Sequence, residues 1–308
     1  MRNGIVVDNE LFINSDLEDA VDESLQLEYQ RISESPWNII REVCSPGWKG
    51  WQDLPAADFV EELIKWDTEF TRANRDEPFF PNILTGNYLS NEPKLDSEQF
   101  RRWFLIMYTV VAAVTPAPIY GAGNAHSERE REIRDIILWH TFDETTHVEM
   151  LRKFGKDILG FTEDELDNAS NELSSRIFSQ PKVDNFTRAW LDDSKKTAWL
   201  SPLAYRDGPL PLSGCAMLSE RGNPWHHRRV VPALHKLHGF SKKDLGFWHV
   251  HTYIDIYHER LGMYVIGKYC ITKELQDLCR SYFKDILIGS LQTSKLAYEQ
   301  DFRGIENL

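Results

Sequence analysis

No window of the sequence approaches the ~18 consecutive apolar residues that a membrane-spanning helix needs. Cysteine is scarce: Cys44, Cys215, Cys270 and Cys279 are the only four in 308 residues, and none forms a CxxC pair. Their scatter argues against a disulfide scaffold or a thiolate zinc knot and points to reduced, buried thiols. Positive charge is short as well, since 35 basic residues face 48 acidic ones for a formal net charge of -13. A surface of that sign is poorly suited to neutralising phosphate, so no nucleic-acid or membrane partner is expected. The opening stretch "MRNGIVVDNELFINSDLEDAVDESLQLEYQ" is acidic, without the basic start and apolar run of a secretory signal, and a cytoplasmic protein is expected. Also missing are alternating strand runs bounded by hairpin turns, low-complexity tracts and short-period repeats.

What remains is helical. With 42% hydrophobic residues the chain has enough apolar side chain for a well-filled core. "DLPAADFVEELIKWDTEFTRAN" spaces Phe59, Leu63, Trp66 and Phe70 on one helix face. "DSEQFRRWFLIMYTVVAAV" is a more apolar helix that ends at the breakers of "TPAPIYGAGN". A long helix is expected from Ser127 to about Leu159, with Ser127 and Glu130 as its capping box. Residues 160–210 read as polar and irregular, and "SPLAYRDGPLPLSG" as a linker. Three further helical patterns follow, and "KELQDLCRSYFKDILIGSLQTSKLAYEQDF" closes the chain. The expected architecture is an all-α bundle of about seven to ten helices over residues 51–308, preceded by an N-terminal arm or helix over 1–50.

Two stretches carry the chemistry. "HTFDETTHVEM" holds His140, Glu144 and His147, and "HTYIDIYHERL" holds His251, Asp255 and His258 at the same spacing. On a helix, positions i, i+4 and i+7 lie within about 60° of one another, so each trio shares a face. Mixed imidazole and carboxylate donors suit iron, manganese or zinc. A lone acid–histidine pair is common on amphipathic helices and supports them through ordinary side-chain contacts. Here the motif recurs amid apolar neighbours, where buried acids and histidines need partners and a metal satisfies several together. Glu220 in "CAMLSERGNPW" follows an apolar run, an unusual place for an acid, and is the candidate for a further ligand.

At these residues the sequence resembles the heme-oxygenase-like di-iron oxidases and oxygenases, most of all the N-oxygenating members. In that superfamily a first core helix gives a Glu and a His, a second a Glu before a Pro-containing turn, and a third an Asp and a His. "ILWHTFDETTHVEMLRKFGKDILGF", "CAMLSERGNPWHHRRVVPAL" and "GFWHVHTYIDIYHERLGM" follow that order, and "LIGSLQTSKLAYEQDF" looks like the family's last helix. The resemblance spans roughly residues 80 to 303. It implies Glu144 and His147, Glu220 as a bridging carboxylate, and His251, Asp255 and His258 as ligands of two irons, with O2 as co-substrate. His140 mirrors His251 without an established role and is read as orienting a ligand carboxylate. The family sometimes draws a carboxylate from elsewhere, with Glu62 and Glu149 as candidates.

The expected activity is O2-dependent N-oxygenation of a small amino acid or amine in a natural-product pathway, supplied where needed by an external electron donor. Arg221, Arg228 and Arg229 are candidates for meeting a substrate carboxylate, their simpler role being to pair with the surplus acids. Competing readings are oxidative C–C cleavage or desaturation of an amino or fatty acid, and a storage or structural metal bundle without turnover. A metal-free hydrolase of the same fold would use Cys215 as nucleophile. Heme oxygenase itself needs an early proximal histidine, and no histidine precedes His126. A homodimer through outer helices is a further implication of the resemblance.

Overall fold

A computed structural model of the chain describes residues 22–82, 84–90, 94–114, 128–169 and 209–299. All regular structure among them is helical. In chain order the helices are α1 (Asp22–Ser33), α2 (Asn38–Val43), α3 (Ala57–Asn74), α4 (Ser97–Val114), α5 (Glu128–Asp157), α6 (Pro209–Ser219), α7 (Asn223–Lys236), α8 (Gly246–Val250), α9 (Asp255–Tyr269) and α10 (Lys273–Ala297). This is the all-α bundle anticipated above. Ser127 of the expected capping box lies outside the described residues, as do 170–208 of the polar middle segment and the breaker-rich stretch 115–124.

Two expectations need correction. The Pro-rich end of the supposed linker, from Pro209 onward, is the first turn of α6. Proline is tolerated there because the first N–H groups of a helix have no intrahelical partner. The stretch around His251 is also not one continuous α-helix. Thr252 N and Tyr253 N bond back three residues, to His249 O and Val250 O, both at 3.0 Å. The chain thus tightens between α8 and α9, as a 3₁₀ turn does, and His251 sits outside the regular helix that carries Asp255 and His258.

Two buried apolar clusters fill the bundle. Ile133, Ile136 and Trp139 of α5 belong to the first, with Met217 and Leu218 of α6 and Leu261 of α9. Leu151 and Phe154 of α5 belong to the second, with Val231 of α7 and Trp248 of α8. Between them the same helices turn polar, at 140–147, at Glu220 to His227, and at His251 to His258. The polar stretches therefore meet at the seam between two water-excluding cores. Ile32, Ile40, Val43 and Cys44 also belong to the first cluster, so α1 and α2 pack into the bundle core.

Helices α6 and α9 approach closely through two glycines. A Cβ on Gly262 would lie 2.5 Å from Leu218 N and 2.9 Å from Gly214 O, while one on Gly214 would lie 2.8 Å from Ile266 Cγ1. The neighbours of Gly262 are backbone atoms, which cannot swing aside. Gly262→Ala is expected to destabilise the fold by about 1–3 kcal/mol through overpacking. A thermal melt reads this as a lower midpoint, and an unchanged midpoint would mean that the two helices separate freely.

Candidate metal centre

Helix α5 brings His140, Asp143, Glu144 and His147 to the seam. The 3₁₀ turn after α6 brings Glu220, and the turn and helix after α8 bring His251, Asp255 and His258. His258 lies in the middle. Its Nδ1 is 2.6 Å from Glu220 Oε2, 3.4 Å from Asp255 Oδ1 and 3.6 Å from Glu144 Oε1. His140 Nε2 stands 3.3 Å from Glu220 Oε1 and 3.6 Å from Glu144 Oε1. On the other side of Glu144, His147 Nδ1 is 3.5 Å from Oε1. The His147 and His251 rings are 4.4 Å apart, centre to centre.

These contacts resolve into two adjoining groups. Ligand atoms of His140, Glu144, Glu220 and His258 all lie within 4.8 Å of one another, and so do those of Glu144, His147 and His251. Glu144 belongs to both. The resemblance implied Glu220 as a bridging carboxylate; its ligand atom here falls in the first group, beside Glu144. His140, read from the sequence as an orienting residue, has its Nε2 inside that group and no hydrogen-bond partner for it.

The donor set fits a metal. Both oxygens of the fully buried Asp255 and both nitrogens of the fully buried His147 lack a hydrogen-bond partner. Buried polar atoms left in that state are costly, and a cation at the seam would take up Asp255 and one nitrogen of His147. His251 Nδ1 lies 2.6 Å from Phe247 O. A carbonyl only accepts, so Nδ1 carries the proton and the Nε2 lone pair is free for a ligand. Burial lowers the His251 pKa, which keeps that imidazole neutral.

Charge at the seam is otherwise mutual. Burial drives the Glu144 carboxyl up, but His147, His140 and His258 outweigh it and hold it well below the ordinary carboxylate range. Burial likewise depresses His258, yet Glu220, Asp143 and Asp255 raise it well above an ordinary imidazole. Asp255 is raised, chiefly by burial. Against its burial, His147 is lifted by Glu144 and Asp143 from 6.5 to about 9. Because the folded value is the higher one, this charge stabilises the metal-free protein fully below pH ~6.5. The contribution is lost as the pH rises through about 9. Urea denaturation of chelator-stripped protein should therefore show a lower midpoint at the alkaline end of that window. Metal-loaded protein should instead weaken on the acid side, where protons compete for the ligands. A metal-free midpoint that is flat across the window would contradict the assignment of His147.

Two residues of the seam have no counterpart in the sequence reading. Asp143 Oδ2 lies 3.0 Å from His258 Nε2 and 3.8 Å from His147 Nε2. Glu28 of α1 approaches Asp143, and burial together with that carboxylate pushes it up to about 7. A carboxyl that keeps its proton can donate to Asp143. Asp143 could have been found as the acid one turn before His147 and next to Glu144. Glu28 gives only a faint signal, an acid one turn before the buried Ile32.

The three arginines all have protein partners. Arg221 bridges Asp67 at 2.9 Å and Glu259 at 3.2 Å, the simpler acid-pairing role. Arg228 donates to Thr252 O at 3.1 Å and lies over the Tyr253 ring. Arg229 hydrogen-bonds Asn87 and covers Trp225. Glu62 is paired with Arg280 and Glu149 is exposed, so neither joins the seam. Cys215 is fully buried in the first apolar cluster, its thiol donating to Cys279 O at 3.4 Å, which leaves no path for a nucleophile. All four cysteines are buried free thiols. No helix among the described residues is long and apolar enough to cross a membrane.

No curated protein matches the chain. A sequence profile of the iron-containing redox enzymes does match, over residues 102–287. That span holds every residue of the two ligand groups and most of the bundle, and it leaves out Glu28. A helical bundle with an imidazole and carboxylate seam, matched by this profile over more than half its length, belongs to the iron-containing redox enzymes of the heme-oxygenase-like superfamily and is an iron oxidoreductase.

Proposed function

We propose that the chain is a non-heme di-iron oxygenase that uses O2 to oxygenate the nitrogen of a small amino acid or amine, as a step in natural-product biosynthesis. The observation that carries the reading is Glu144, one carboxylate common to two adjoining ligand groups. Two metal ions share a site most simply across such a carboxylate. Asp255, with both oxygens unpartnered beside His258, adds a further donor to the set.

Two irons held there would supply the electrons for reducing O2. The protein supplies the rest. Phe247 O fixes the proton of His251 on Nδ1, which leaves the Nε2 lone pair for a ligand. The apolar clusters on either side keep water from His147, Asp255 and His258, all fully buried. Glu144 and Glu220 keep some exposure, with 21% and 17% of their side chains accessible, and they mark the side by which a small substrate reaches the centre. Nitrogen-rich ligation, with His140 and His251 added to His147 and His258, supports N-oxygenation over the other outcomes. Of the three arginines, Arg228 reaches the turn that follows His251 and is the candidate for holding a substrate carboxylate.

The test is incubation of the iron-loaded chain with 18O2, a reductant and a panel of amino acids and amines, with products read by mass spectrometry. A product carrying labelled oxygen on nitrogen is expected. Loss of a carbon fragment or of two hydrogens would instead establish cleavage or desaturation. Iron uptake without any product would leave a storage bundle. A homodimer and an external electron donor belong to the same proposal, read by light scattering and by the reductant requirement of the assay.

A further inference from the structure

We propose that Asp143 is a positioning residue, which fixes the His258 imidazole with Nδ1 toward the ligand groups and makes α1 part of the metal centre. The inference rests on the metal reading above and goes beyond its ligand set. A neutral imidazole carries one proton, and the nitrogen that holds it is set by the partner of that nitrogen. His258 Nε2 lies 3.0 Å from Asp143 Oδ2, a hydrogen bond to a group that can only accept. Nδ1 is in turn 2.6 Å from Glu220 Oε2, so both nitrogens face a carboxylate, but Glu220 belongs to the ligand group. A metal held there would replace the Nδ1 proton, while Asp143 keeps the one on Nε2. The lone pair is left on Nδ1, the atom within 3.6 Å of Glu220, Asp255 and Glu144. The same oxygen is 3.8 Å from His147 Nε2. One carboxylate thus stands behind a histidine of each group, on the far side from the shared Glu144.

Asp143 is itself held from α1. Arg31 Nη1 is 2.6 Å from Glu28 Oε1, 2.9 Å from Thr146 Oγ1 and 3.6 Å from Asp143 Oδ1. Atoms of Glu28, Asp143 and His147 also lie within 4.8 Å of one another, spacing that would admit a third ion. The Arg31 guanidinium against two of those three residues repels a cation and makes the cluster a brace instead. Carboxylates behind metal-bound histidines set ring orientation, and their loss typically weakens metal binding ~10–100-fold.

The test uses the full chain with 15N-labelled histidine and Zn(II) as a diamagnetic probe. In the wild type, NMR should show His258 bound to Zn(II) through Nδ1, with a slowly exchanging, hydrogen-bonded Nε2 proton. In Asp143→Asn that proton signal should shift, and calorimetric Zn(II) affinity should fall ~10–100-fold. Glu28→Ala, which bears on His258 only through Asp143, should weaken binding by less, and Glu28→Gln should restore it. Wild-type His258 bound through Nε2 would overturn the proposal without any variant, so it stays testable if Asp143→Asn fails to fold. Unchanged affinity and an unchanged His258 signal in a folded Asp143→Asn would overturn it and leave the metal centre standing. Failure of the wild type to bind either Zn(II) or Fe(II) would overturn the metal reading and the proposal with it.

Discussion

Replacing His258 with alanine is expected to remove the first of two irons and to destabilise the metal-free protein, because this one ring touches four carboxylates. Its Nδ1 faces Glu220, Asp255 and Glu144, and its Nε2 faces Asp143. Without metal, the His258 proton is the charge that offsets them. Removing one partner from a buried ion pair typically costs about 3–5 kcal/mol, because the other partner is left uncompensated. The stranded carboxyls can take up protons, so the loss should be larger at neutral pH than in mild acid. Urea denaturation of the stripped variant at two pH values reads the stability, and colorimetric iron analysis reads the occupancy. A variant with wild-type iron content would remove His258 from the centre.

A change at Glu144 should reach further. Glu144 alone belongs to both ligand groups, so Glu144→Ala is expected to take the iron content toward zero. His251→Ala removes a donor from the second group only and should leave the first ion in place. The contrast between the two variants is more informative than either alone, since a general loss of folding would lower both equally. Glu144→Ala also removes the largest influence that raises the His147 pKa, so the alkaline loss of metal-free stability should shrink with it. Equal iron content in the two variants would show that no carboxylate is shared.

The bundle was legible because its helices are long and their apolar spacing regular. The first apolar cluster takes Phe59 and Leu63 from the face that the sequence marks on α3. The paired histidine motifs were legible because three residues on one helix face are set by local geometry alone. Their separation into two groups was not, since it depends on how α5, the turn after α6 and the turn before α9 face one another. The His251 turn shows the limit within a single segment. Spacing alone gave it the face of Asp255 and His258, while the actual backbone bonds back three residues there. Glu28 was hidden for a related reason: its partner Asp143 is more than a hundred residues away, and nothing local marks the contact. Arg221 went to Asp67 and Glu259 because buried acids on α3 and α9 claim the nearest cation, a pairing that only packing reveals.

Anaerobic titration of the full chain with Fe(II), with the bound metal read by Mössbauer spectroscopy, tests the central claim most directly. Two irons per chain, magnetically coupled once oxidised, are the predicted result, because Glu144 joins the two ligand groups. A single iron at saturation, or two that remain magnetically independent, would contradict a shared di-iron centre.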